Sequence, residues 1–217
     1  MVFDSFYPGP NLEIYQSLRM NVQKLLWIAG TKGFGKTHLL QAAFHRCIRL
    51  SRKSLYIPMC EFDQFSPEIL DDLDQLDLIC IDDIEFILGN QAWERKLLDL
   101  YERLQTTDCH LVIASHEPPK GINFFLPDLA SRFSMSVVHQ LEMLTETEII
   151  SAIQQHANIR GFNLPNDSAN YLLKRVERNV GSLLEIIKIL DYESLSKQRK
   201  LTVPFIKNIL HLGNKDQ

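Results

Sequence analysis

No stretch of this 217-residue chain approaches the roughly 18 consecutive apolar residues that a helix needs to cross a bilayer, so no membrane span is expected. The N-terminus, MVFDSFYPGPN, has neither a basic n-region nor an apolar h-region, which argues against a secretory signal and makes a cytoplasmic location the expectation. Cysteine is sparse. Cys47, Cys60, Cys80 and Cys109 are widely spaced with no C-x-x-C motif, so reduced, buried thiols are expected. The seven histidines show no H-E-x-x-H or similar spacing, and no metal ligand set is assigned from protein side chains alone. A long basic run is also missing. With 23 Lys and Arg against 27 Asp and Glu, the net charge of −4 excludes a chain-wide attraction to nucleic acid. Arg46, Arg49, Arg52 and Lys53 read as a solvated helix end. Internal repeats and low-complexity segments are absent.

What remains is an ordinary globular composition, 45% hydrophobic and 23% charged, with enough length for one large domain or two unequal ones. Five short apolar runs alternate with helical patterns. They are KLLWIAG (24–30), SLYIPM (54–59), DLICIDD (77–83), HLVIAS (110–115) and MSVVHQL around Val137 and Val138. Continuous apolar runs suit parallel strands covered on both faces, with helices as crossovers. The strongest helical pattern between them is QAWERKLLDLYERLQ, which puts Trp93, Leu97, Leu100, Tyr101 and Leu104 on one face. After about Glu142 the strand signal stops. Thr145 and Glu148 form a capping-box pattern, Gly161 ends that helix, and further helical segments follow, the last capped by Thr202 with Pro204 in its first turn. The expectation is an α/β domain over residues 1–142 and a small all-helical domain over 145–217.

The first run leads into G-x-x-x-x-G-K-T: Gly30, Thr31, Lys32, Gly33, Phe34, Gly35, Lys36, Thr37. A helix is expected from Lys36 to about Leu50. Glycines let such a loop turn tightly and aim backbone N–H groups at phosphate oxygens, and the following helix adds the positive end of its dipole. Lys36 can reach the β- and γ-phosphates, and the Thr37 hydroxyl can ligate Mg²⁺. A Gly-rich turn with a chance Lys-Thr is the alternative. The third run ends in two acids. Asp82 can hold Mg²⁺, and Asp83 can polarise an attacking water, although Glu would reach further; two acids can also simply cap a strand. Ser115, at the end of the fourth run, can hydrogen-bond a terminal phosphate or cap its strand, and both readings stay open.

These segments together, GTKGFGKTHLLQAA, CIDDIEFILGNQAWERKLLDLYERL and LPDLASRF, resemble the DnaA branch of the AAA+ ATPases. The opening spacing of Phe3, Phe6, Gly9 and Asn11 is similar to the start of a DnaA nucleotide domain. LPDLASR, RGFNLPND, LLKRV and KQRKLTVPF are closest to the short Hda-like members. The resemblance covers nearly the whole chain. It implies an AAA+ P-loop fold with a five-stranded parallel sheet and a helical C-terminal lid. It implies ADP or ATP with Mg²⁺ as ligands, ADP as the working nucleotide, and DnaA and the DNA sliding clamp as partners, a homo-oligomer also being compatible. It implies that Arg132, in PDLASRF, serves as an arginine finger on ATP held by DnaA. The alternative use for Arg132 is a local ion pair with Asp128, one turn back.

The pattern departs in places. Hda-like chains begin with a clamp-binding peptide of the Q-L-x-L-P type. None precedes Val2, and QLDL at Gln75 to Leu78 runs into a strand and is expected to be buried, so clamp binding by this chain is expected to be weak. Gly181 stands where the family carries a sensor-2 arginine; Arg175 and Arg178 lie near in sequence without being sure replacements. His116 stands where DnaA proteins have Asp and is given no role. The chain ends soon after Leu210, so no recognition helix and no direct sequence-specific DNA binding are expected. Three readings compete: a regulator of DnaA, a stand-alone AAA+ ATPase or helicase loader, and an adaptor in which nucleotide is structural. Weak or no intrinsic ATP hydrolysis is expected, because the sensor-2 arginine is missing.

Overall fold

The structure, a computed structural model, describes residues 1–20, 23–176, 180–197 and 199–213. It divides into two compact units, one of Met1–Phe3 with Pro10–Glu142 and one of Asp4–Gly9 with the chain from Met143 onward. The short segment Asp4–Gly9, expected in the first unit, groups with the second.

The first unit is built on a five-stranded, wholly parallel sheet. Its strands are β1 (Leu25–Ala29), β2 (Ser54–Pro58), β3 (Leu78–Asp82), β4 (His110–Ser115) and β5 (Val137–Gln140), in the spatial order β2-β3-β4-β1-β5. The helices are α1 (Leu12–Met20), α2 (Lys36–Arg49), α3 (Gln91–Leu104) and the short α4 (Pro127–Phe133). Side chains alternate across a strand, and β3 shows the consequence. Ile79 and Ile81 join the core with Trp93, Leu97 and Leu100 of α3, while Cys80 between them points its thiol at the Leu40 carbonyl of α2. Helices therefore cover β3 on both faces, which is why DLICIDD can be apolar without alternation.

The expectation of two covered faces fails at the edge. β5 pairs with β1 alone, and Val137 and Val138 remain 38% and 40% exposed. Cys60, expected to be buried, is exposed, whereas Cys47, Cys80 and Cys109 are buried free thiols. QLDL is split: Gln75 is exposed in a turn, and Leu78 is buried as the first residue of β3. Asn11 of the opening motif is buried. It donates from Nδ2 to the Glu142 carbonyl at 3.0 Å and accepts from the Glu142 N–H at 2.8 Å, pairing with the backbone just past β5.

The second unit is helical: α5 (Glu146–Ile159), α6 (Asn166–Arg175), α7 (Val180–Lys197) and α8 (Val203–Gly213). Thr145 and Glu148 form the capping box at the start of α5, and Gly161 follows the helix with φ 89°, a left-handed value that suits glycine. Ile149, Ile153, Leu172, Leu183, Ile187 and Ile206 share its core.

Candidate functional site

The carboxyl ends of β1, β3 and β4 carry the residues singled out by sequence. β1 ends at Ala29, and the Gly30 N–H donates to the Ser115 carbonyl at 3.1 Å, so the loop leaves the sheet tied to β4. Thr31, Lys32 and Gly33 form its exposed tip, and the Phe34 N–H closes a turn onto the Thr31 carbonyl at 3.3 Å. Gly33 and Gly35 sit at φ 90° and 98°, a region costly for any residue with a Cβ. Gly35 is also the residue before α2, and no side chain caps that helix. Its first N–H groups are thus left for an anion rather than for a protein side chain.

Lys36 is buried, at 4% exposure, and not the exposed cation its place in a surface loop suggests. Its ammonium donates to the Gly30 carbonyl at 2.5 Å and to the Thr31 carbonyl at 3.4 Å, so the loop closes around its own lysine. Burial pulls the Lys36 pKa down, and the charges of Glu85, Asp83 and Asp82 pull against it. A phosphate would relieve that burial by giving the ammonium a counter-charge.

Asp82 ends β3 at 1% exposure. It accepts from the Tyr56 hydroxyl at 2.8 Å, from the Asp83 N–H at 3.1 Å and from the Thr37 hydroxyl. Burial raises its pKa, and the Thr37 and Tyr56 hydrogen bonds oppose the rise. The fold thus brings Thr37 and Asp82 into direct contact. A hydroxyl and a carboxylate beside a phosphate loop form an all-oxygen donor set, which suits Mg²⁺ completed by phosphate and water. Asp83 follows in a left-handed conformation (φ 53°, ψ 47°), and its carboxylate lies beside Glu85 and His116. The Ser115 hydroxyl is fully buried and engaged: it accepts from Trp27 Nε1 at 2.7 Å and donates to the Glu117 carbonyl.

Arg132 lies elsewhere, exposed on α4 between the buried Leu129 and Phe133. Among the described residues no ion pair joins it to Asp128. Phe133 holds the helix by ring contacts with Trp27, Tyr101 and Phe124. The start of α4 is held by Glu94, a fully buried carboxylate that sequence reading passed over. It accepts from the N–H groups of Gly89, Phe125 and Leu126 at 2.7, 2.9 and 2.7 Å. The signal was present, since Glu94 falls in helical register with Leu97 and Tyr101 on the apolar stripe. In the helical unit, Gly181 falls in the first turn of α7 and Arg175 lies over the Tyr171 ring at 5.5 Å; Arg178 is outside the described residues.

Residues 2–140 match the family model of the bacterial DnaA ATPase domain, and residues 146–210 match that of the Hda lid domain. Domain III of the Thermotoga maritima replication initiation protein DnaA is similar over 97% of this chain and 95% of its own, at 24% identity and a TM-score of 0.81. AMPPCP-bound DnaA from Aquifex aeolicus is similar over 91% of this chain and 68% of its own, at 22% identity and a TM-score of 0.75. The Thermotoga maritima Holliday junction branch migration motor RuvB is similar over 93% and 66%, at 18% identity and a TM-score of 0.68. At these identities the structures show a shared fold.

Proposed function

The chain belongs to the bacterial DnaA ATPase domain family, as an Hda-like member of the DnaA branch of AAA+ proteins, and we propose that it is a nucleotide-bound regulator that makes DnaA hydrolyse its ATP. The observation that carries this reading is Arg132: exposed, outside any ion pair among the described residues, and on a helix braced at its start by Glu94 and at its end by Phe133. A planar guanidinium held outward in this way suits the terminal phosphate of a nucleotide on a neighbouring protein, where charge develops during transfer. Fingers supplied from a partner are worth roughly 10³ to 10⁵ in rate.

The chain's own nucleotide is then a ligand that sets shape. ADP, in the cytoplasm, is the proposed resting ligand. Its phosphates would lie against the N–H groups of Gly30 to Thr37 and the Lys36 ammonium, with Mg²⁺ held by Thr37 and Asp82 and supplying charge neutralisation. Three features favour weak hydrolysis on this site: Gly181 offers no cation, Ser115 has its hydroxyl engaged, and Asp83 is a short base. The first unit is read as the nucleotide domain and the second as its lid. The sliding clamp is the proposed co-partner.

Arg132→Ala tests the reading. The variant is expected to keep the parent's ADP affinity and melting temperature and to lose its acceleration of hydrolysis of DnaA-bound ATP, assayed with a clamp loaded on DNA and with a clamp-binding peptide added at the N-terminus of both proteins. A variant as active as the parent would overturn it. The paired Lys36 loop and Asp82 favour a second reading, a stand-alone ATPase or helicase loader. Brisk ATP turnover by the purified chain alone would select it.

A further inference from the structure

The turn after β3 and the residue after β4 meet because the two strands are neighbours in the sheet. Ile84 is buried in that turn, and Asp83 and Glu85 flank it. His116 follows β4. Asp83 and Glu85 are two positions apart but His116 is distant in sequence, and the three show no metal spacing. In space each brings a ligand atom to one place, with all three atoms within 4.8 Å of one another.

The cluster differs from an ordinary surface ion pair. His116 Nδ1 lies 2.9 Å from Glu85 Oε1, and both Glu85 oxygens are shielded from solvent, with the His116 ring and the Lys36 ammonium as the charged groups acting on them from outside the acidic pair. With Asp83 beside Glu85, the cluster gathers two carboxylates around one imidazole, a donor set that favours a cation. The His116 ring, 49% exposed, leaves the cluster open to water on one side.

We propose that Asp83, Glu85 and His116 bind a divalent transition-metal ion of the Zn²⁺ class, at a position adjoining the Thr37–Asp82 pair. One imidazole and two carboxylates make a three-ligand set with room for water in a fourth position. Imidazole selects against Mg²⁺, which prefers oxygen, and toward Zn²⁺ and its neighbours. The two sites thus differ in chemistry although Asp82 and Asp83 adjoin. One consequence rests on the nucleotide reading above: an ion on Asp83 takes from the site its candidate base. The site itself does not depend on that reading.

The test uses the full chain, freed of nucleotide and metal by chelator and exchanged into buffer. Zn²⁺ titration by calorimetry is expected to show one dominant equivalent, and Co²⁺ in its place a d–d absorption band. Zn²⁺ is expected to raise the melting temperature by binding the folded state. His116→Ala and Glu85→Gln, the first at a half-exposed ring and the second isosteric, are each expected to weaken Zn²⁺ by at least about ten-fold. Thr37→Ala should leave it unchanged. Zn²⁺ binding that survives both cluster substitutions, or no Zn²⁺ binding at all, overturns the proposal. ADP titration of the same samples separates the two readings, since intact ADP affinity with no Zn²⁺ site removes this inference alone.

Discussion

Glu94 of α3 accepts a hydrogen bond at 2.7 Å from the N–H of Leu126, the residue just before α4, the helix that carries Arg132. The same carboxylate takes the N–H groups of Phe125 and Gly89. Glu94→Ala would strand three donors, and the expected loss of stability is about 2–4 kcal/mol. Glu94→Gln keeps one oxygen but turns an NH₂ group toward an N–H, so roughly 1–2 kcal/mol is expected. Urea unfolding measures both. The Gln variant should also stimulate DnaA less while holding ADP as the parent does, because the helix bearing Arg132 loses its anchor. Parent-like stability in Glu94→Gln would show that the carboxylate is not what holds the α4 entry.

Lys36→Ala separates binding from folding. The ammonium is desolvated, which costs stability, and its bonds go to the Gly30 and Thr31 carbonyls, which return some. These effects oppose each other, so the net change in stability is expected to stay within about 1 kcal/mol. ADP affinity should fall on the order of 100-fold with loss of a charge-assisted contact. Calorimetric titration with a circular-dichroism check reads both quantities. Undiminished ADP affinity would remove Lys36 from the site.

His156 predicts a pH dependence in the helical unit. Both ring nitrogens are buried without a hydrogen-bond partner, and burial, aided by Arg160 and Lys188 and opposed by Glu185, holds its pKa below the usual histidine range. The unfolded chain then binds the proton more readily. Stability from this group is present above about pH 6.5 and is lost as pH falls through that value toward the depressed one. Helical melting at 222 nm is expected to shift down between pH 7 and 5, and His156→Leu to flatten the slope. An equal slope in the variant would place the dependence elsewhere.

Much of this protein was legible along the chain. The β4 boundaries, the phosphate loop between strand and helix, and the Thr145–Glu148 cap all follow from local period and turn chemistry. The Asp128–Arg132 spacing was locally sufficient for an ion pair, yet none forms, because exposed pairs gain little and side-chain entropy opposes them. Tyr56 on Asp82 was not legible, since it depends on β2 lying beside β3.

The sequence by itself determined the five strands, the helices α2 and α3, the helical character of the second unit, and where the glycine-rich loop turns. Those properties are written in nearest neighbours: side-chain period, glycine at positive φ, and caps. The tertiary structure alone decided that Lys36 is buried, that β5 is an exposed edge, that Glu94 braces the Arg132 helix, and that Asp83, Glu85 and His116 converge. Each depends on the strand order β2-β3-β4-β1-β5 and on which faces the helices cover. Apolar runs of similar composition do not encode that order; it emerges when the whole sheet packs and buries its two faces together.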